Sequence, residues 1–315
     1  MESIRLGVSA CLLGESVRYD GSHRFDRYLV ETLGRFVEWV PVCPEVEAGL
    51  GVPREAMRLV GEREAPRLVT GRTGIDQTSR MKRWARKRIR QLGEEELCGF
   101  IFKSRSPSSG MERVRIYTAG GEPGPYGSGI FARAFMDACP LIPVEDEERM
   151  REPALRENFI ERVFTFNRWR ALTSRRASAA GLAGFHSDHK YLLMAHSPSH
   201  LKRLGQLVAN PQKVKPSVMY ASYLPLMMEG LRLKATVPKN ANVLEHLLGY
   251  FKKQLSPEEK QEALGLIGRY RQGLVPLVSP VTLVRHLVRR YDEPYLSRQV
   301  YLNPHPAELM LKNHV

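Results

Sequence analysis

The hydrophobic period of this chain changes once, near residue 150, and that change limits the folds open to it. Before it, short apolar runs bounded by glycine, proline and polar residues alternate with amphipathic stretches. IRLGVSA, FVEWVPV, CGFIFKS, VRIYTA and PLIPVE read as strands; RFDRYLVETLGR, TSRMKRWARKRIRQLGEEE and SGIFARAFMDAC carry helical spacing. Strands alternating with helices predict an α/β domain over residues 1–150, Rossmann-like, with a doubly wound and mostly parallel sheet. After the change only helical spacing remains, from EPALRENFIERVFTFNRWRALT to SPVTLVRHLVRRY, which predicts an all-α domain over residues 151–315. Ser256-Pro257-Glu258 and Ser279-Pro280 read as helix starts, and the acidic run at 144–153 marks the join and reads as a further one. No G-x-G-x-x-G or Walker A sequence follows the first strand, which argues against a standard dinucleotide or nucleoside triphosphate role.

Charge follows the same division. Residues 1–150 hold 23 Lys and Arg against 22 Asp and Glu, whereas residues 151–315 hold 25 against 12. A positive excess confined to the helical half is the footprint expected for a polyanion partner such as nucleic acid. Its cations are interleaved with rings in RVFTFNRWR, YFKK, RYRQG and RHLVRRY, a pattern suited to phosphate contact with base stacking and equally to side chains lying along a helical bundle. RMKRWARKRIRQ, residues 80–91, adds a basic helix face to the first domain. No run approaches the roughly 20 apolar residues of a membrane span, and the first residues lack a signal-peptide layout, so a cytoplasmic protein with no membrane partner is expected. Nothing in the sequence specifies an oligomeric state. Four cysteines are too few for a disulfide scaffold, leaving buried thiols, metal ligands or nucleophiles.

Two of those cysteines stand where strands end. Cys11 lies just past the first strand in SACLLG, Cys43 ends the second in VPVCPEVEAGLGVPR, and KSRSPSSG follows the strand CGFIFKS. Strand carboxyl ends of a parallel sheet face one edge, where ligands bind, so these loops are candidates to meet in one pocket. The loop RYDGSHR, residues 18–24, is expected nearby. His186, His189 and His196 share a helix face in FHSDHKYLLMAHS. They read as capping or packing histidines, and no second metal is expected from them or from the distant His246 and His305.

VSACLLGESVRYDG, CPEVEAGLGVPRE and KSRSPSSGMERVRIY together resemble the motif set of the DUF523 family, which includes the thiouracil desulfidases. FHSDHKYLLMAHS, NVLEHLLGYFKK and YLNPHPAELMLKNHV resemble the DUF1722, or YbgA-type, domain. The resemblance covers nearly the whole chain, in the order of the two-domain desulfidases acting on 4-thiouridine in tRNA. It implies non-redox replacement of thiocarbonyl sulfur by oxygen at a [4Fe-4S] cluster held by three cysteines, with a carboxylate handling protons. Residue by residue, Cys11 and Cys43 match cluster ligands, Glu45 the catalytic carboxylate, and Ser106 a serine that positions or protonates substrate. Ser9, Arg18, Asp20 and Ser108 are the accompanying substrate contacts, and tRNA is the partner implied. The other activities in view are desulfidation of a free thiobase or thionucleoside, and RNA binding by a homologue without catalysis.

The departure is Ser109, which stands where the family pattern commonly has the third cluster cysteine. A hydroxyl is a harder and far less acidic ligand than a thiol. Ser109 ligates as an alkoxide, or Cys98 replaces it from about 20 Å away across six strand residues, or the cluster is altered or absent. An introduced Cys→Ser substitution is a further reading.

Overall fold

The computed structural model describes residues 3–209 and 214–313. It divides into two compact units, Met1–Glu152 and Pro153–Val315. The first is α/β and the second helical, the fold class expected from the change of period.

In unit one the strands are β1 (Ile4–Ser9), β2 (Val37–Val42), β3 (Met57–Val60), β4 (Arg67–Thr70), β5 (Gly99–Phe102), β6 (Val114–Tyr117), β7 (Pro123–Gly127) and β8 (Val144–Asp146). The helices are α1 (Pro44–Glu47), α2 (Thr78–Glu94) and α3 (Ile130–Ala138). The main sheet has order β2-β1-β5-β8, and every pairing in it is parallel. Chain order reverses at β1 and β5, which puts a switch point, and hence a crevice, between their carboxyl ends. Along β5 every side chain is buried, as a parallel strand covered on both faces requires. Phe100 and Phe102 pack with Phe131 and Phe135 of α3 and with Ala85 and Leu92 of α2. Ring centroids 4.3–6.1 Å apart give these aromatics stacked and edge contacts, each contributing roughly 0.5–1.5 kcal/mol beyond burial. Gly7 pairs with Phe100 across the β1/β5 ladder, and a Cβ there would lie 2.2 Å from the Phe100 ring. Any larger residue would push the two switch-point strands apart.

Several local expectations are corrected. VRIYTA is not a strand of the main sheet. It is β6 of a second, mixed sheet of order β4-β3-β6-β7, where Val114 and Ile116 bury against Leu59, Leu68, Met81 and Ile130. RFDRYLVETLGR forms a π turn, Tyr28–Thr32, and a 3-10 turn, Leu33–Arg35, in place of a regular helix; Gly34 packs against Trp39 and the chain turns into β2. The acidic run at the join supplies β8 and a 3-10 turn at Arg149–Arg151, so helix resumes only at Pro153.

Unit two runs α4 (Pro153–Thr173), α5 (Ala179–His196), α6 (Pro198–Ala209), α7 (Pro216–Arg232), α8 (Val237–Leu248), α9 (Pro257–Arg271), α10 (Val278–Arg290) and α11 (Pro294–Ser297). Ser256 starts α9 with a complete capping box: its side chain accepts from Glu259 N, and Glu259 reaches back to Ser256 N. Ser279-Pro280 does not cap α10, which begins at Val278 with Pro280 in its first turn, where a missing N–H is harmless. α7 was not legible as a helix because Pro225 interrupts its interior. Among the described residues no helix is long and apolar enough to cross a membrane.

Candidate active site

All four parallel strands of the main sheet deliver residues to one cavity of about 660 Å³. Cys11 arrives on a 3-10 turn after β1, closed by Gly14 in the left-handed conformation (φ 96°). Cys43 is the N-cap residue of α1, directly after β2, and its N–H donates to Glu47 Oε1 at 2.9 Å. Lys103 and the serine loop follow β5, and Glu147 follows β8. Every one of these side chains lines the cavity.

Burial governs the thiols. It pushes Cys11 up to about 11 and Cys43 to about 12, with the nearby Glu45 carboxylate adding to the effect at both. Thiols held protonated this firmly ionise only beside a cation, which is the condition a bound metal centre supplies. Ser109, 4% exposed, lines the same cavity and offers a hydroxyl. Cys98 does not: it sits before β5, at the far end of that strand, with its Sγ 3.9 Å from Glu96 O. Cys139 lies beyond α3 and does not line the cavity. The residues present therefore fit an iron–sulfur group through two soft thiolates and one hard hydroxyl.

The loop SPSSG is rigid for a local reason. Helix α3 begins with unpaired backbone donors, and the loop caps them. Ile130 N donates to Pro107 O, Phe131 N and Ala132 N to Ser108 O, and Gly129 N to Gly110 O. Gly110 and Gly129 are glycines because a Cβ on either would fall within 2.9 Å of loop carbonyl oxygens. Within the loop, Ser106 Oγ accepts from Ser108 N at 3.3 Å and from Ser109 N at 3.1 Å. Ser108 Oγ, fully buried, donates to Glu45 Oε1 at 2.5 Å. Since that uses the only Ser108 hydroxyl proton, the 3.0 Å contact between Ser106 and Ser108 is donated by Ser106. The result is a one-way hydrogen-bond chain from Ser106 through Ser108 to Glu45. Glu45 Oε2 lies 3.7 Å from Arg54 Nη2 and 3.6 Å from Cys43 Sγ.

Of the residues expected at a site, Cys11, Cys43, Glu45, Ser9, Arg18, Ser106 and Ser109 all line this cavity. Ser9 also accepts from Lys103 N at 2.8 Å, tying β1 to the loop after β5. Ser108 lies behind the wall and acts through Glu45. Asp20 is not brought in: it is exposed, paired with Arg18 at 3.6 Å and bonded to Ser22. Three lining residues were missed. Arg54 also donates to Val17 O and Gly51 O, clamping the Cys43 loop. Lys103 Nζ pairs with Glu147 at 2.5 Å, and Glu147 also receives Ser104 N and Ser104 Oγ at 2.7 Å. Lys103 and Glu147 each follow directly on a main-sheet strand, which was the signal available for them.

In the helical unit the histidines are hydrogen-bonded packing residues. His186 Nδ1 meets Tyr223 Oη at 3.0 Å and His189 Nδ1 meets Phe185 O at 2.7 Å. The rings of RVFTFNRWR, namely Phe164, Phe166 and Trp169, are buried in the bundle, as are Phe251 and Tyr270. They are core residues and cannot stack on a base.

Comparison with known proteins gives matches to both halves. Residues 6–147 match the 2-thiouracil desulfurase family, and residues 190–306 match DUF1722, described as a protein of unknown function. YbgA of Escherichia coli (strain K12) is 29% identical over 48% of this chain and 90% of its own length. YbbK of Bacillus subtilis (strain 168) is 29% identical over 44% of this chain and 95% of its own. The solved structure of the [4Fe-4S]-dependent thiouracil desulfidase TudS is 31% identical, with a TM-score of 0.40, covering 48% of this chain and 95% of that one.

Proposed function

This chain joins a domain of the 2-thiouracil desulfurase family to a DUF1722 domain, and we propose that it is an iron–sulfur-dependent desulfidase that replaces the sulfur of thiolated uracil, presented as 4-thiouridine in tRNA, with oxygen. The observation that carries this reading is the meeting of Cys11, Cys43, Glu45 and the serine loop in one cavity at the strand ends. Cys11, Cys43 and the Ser109 hydroxyl would hold a [4Fe-4S] cluster, the group on which TudS depends. Bound there, it supplies a Lewis-acidic iron that draws electron density from the thiocarbonyl sulfur.

The chain's own residues handle the protons. Water adds its oxygen to the thiocarbonyl carbon, the carbon–sulfur bond breaks, and the sulfur leaves as hydrosulfide. Carbon keeps its oxidation state, so neither an oxidant nor a reductant is consumed. Glu45 Oε2 accepts the proton that the attacking water gives up. The hydrogen bonds from Ser106 to Ser108 to Glu45 then reverse, and Ser106, which lines the cavity, delivers a proton to the departing sulfur. Arg54 beside Glu45 keeps the carboxylate charged before the reaction. Lys103 and Arg18 give the wall positive charge that suits a developing thiolate.

RNA as the presented form rests on the excess of Lys and Arg over residues 151–315. With the bundle aromatics buried, recognition falls to phosphate contacts by exposed cations. A chain engaging several phosphates loses roughly 10³-fold in tRNA affinity between about 50 and 200 mM salt. An affinity that stays flat over that range contradicts RNA presentation. A second reading, action on the free base, is favoured by the family match, which is to 2-thiouracil desulfurase and lies wholly within residues 6–147. Turnover on thiolated tRNA, thionucleoside and thiobase decides: tRNA well ahead supports the first reading, and equal rates support the second.

A further inference from the structure

Far from the strand-end cavity in sequence, the helical unit buries charge that desulfidation does not use. Glu157 and Glu161 lie one turn apart on the same face of α4, and Glu161 is only 4% exposed. His305, from the irregular segment after α11, joins them. A carboxylate oxygen of each glutamate and a ring nitrogen of His305 all lie within 4.8 Å of one another.

Hydrogen bonding around this group leaves the wrong balance of donors and acceptors for a closed core. His305 Nδ1 sits 3.1 Å from Pro306 O, a pure acceptor, so Nδ1 carries the ring proton and Nε2 presents a bare lone pair. That Nε2 is buried with no hydrogen-bond partner. Two carboxylates and a lone pair are acceptors only, and three acceptors converge stably only around a cation. The nearby Lys312 directs its Nζ to Tyr301 O at 3.0 Å. The groups behind these side chains are also of the kind that orient metal ligands. Nδ1–H to a backbone carbonyl fixes the His305 tautomer, and His196 Nε2 holds Glu161 Oε2 at 3.0 Å while its Nδ1 meets Leu233 O at 2.6 Å. Glu157 and Glu161 open onto a cavity of about 290 Å³, lined as well by Asn240 and Tyr270, which gives an ion a way in and room for water.

We propose that Glu157, Glu161 and His305 Nε2 form a second metal site, which takes one divalent first-row transition ion and staples the segment after α11 to α4. Two carboxylate oxygens and an imidazole nitrogen suit zinc, manganese or iron(II), with water completing the coordination. This site shares no residue with the desulfidase site and stands or falls independently of it.

The test uses the full chain carrying Cys11→Ala and Cys43→Ala, which removes the thiols that would otherwise compete. Cobalt(II) is the probe, because carboxylate and imidazole ligation gives visible bands without thiolate charge transfer. The expected result is one cobalt per chain and a raised melting temperature. Adding Glu157→Gln or His305→Gln should weaken binding by at least about 10- to 100-fold, the loss known even for residues that only hydrogen-bond to a ligand. Absence of cobalt binding in the folded parent overturns the site, whether or not either variant folds. So does binding that survives both substitutions, which would place the ion elsewhere.

Discussion

Replacing Glu45 by glutamine lowers desulfidation of a thiolated uracil by about 10²- to 10⁴-fold, the contribution of a positioned acid–base group. Glutamine keeps the size of the side chain, and its carbonyl oxygen can still accept from Ser108, so the cavity should retain its shape. What it loses is the ability to take a proton from water. The loss should therefore fall on kcat, with KM nearly unchanged. Ser108→Ala is the companion test. It removes the 2.5 Å bond to Glu45 from a fully buried hydroxyl that does not line the cavity. If the hydrogen-bond chain carries the proton, kcat falls here too, without any direct contact to substrate having been removed. A Glu45→Gln protein that turns over at the parental rate would remove the carboxylate from the chemistry.

The second large effect concerns iron. Anaerobic reconstitution of the unaltered chain should give about four iron atoms per chain, the content of a [4Fe-4S] centre. Cys11→Ala or Cys43→Ala should bring that close to zero, because each removes one of only two thiols lining the cavity. Ser109→Cys should hold iron more firmly than the parent, since a thiolate replaces a hydroxyl at the third position. Retention of a full complement by both alanine variants would place the centre elsewhere. Loading should also tighten as pH rises, because it displaces protons from thiols that burial holds at about 11 and about 12. The same shifts act oppositely on the iron-free chain. Its unfolded form ionises at the ordinary thiol value of 9.0 while the folded form stays protonated, so stability falls as pH climbs from there toward 11 and beyond.

The sequence revealed most where physical period and burial coincide. β1 and β5 are buried runs in a parallel sheet, so their apolar stretches were legible, and Cys11, Cys43 and the serine loop could be assigned to one edge from strand direction alone. β7, with the sequence PGPYG, was not legible, because glycine and proline mask a strand that exists only through pairing with β6. Ser108 and Ser109 looked like a polar surface turn. Their burial comes from capping α3, whose first turn lies about twenty residues away, and no local pattern encodes that contact. RVFTFNRWR misled in the opposite direction: its rings recur at helical spacing and belong to the core. Glu157 and Glu161 were passed over because acidic residues on a helix usually face water, and only His305, distant in sequence, makes them a group.

Sulfur release tests the desulfidase reading most directly. Reconstituted protein is given a thiolated uracil, as base, nucleoside and tRNA, with no reductant, and hydrosulfide is measured against the oxygenated product. Equal amounts of the two over many turnovers, from at least one of the three substrates, is the expected result. Iron-replete protein that releases no sulfide from any of them would contradict a desulfidase at this cavity.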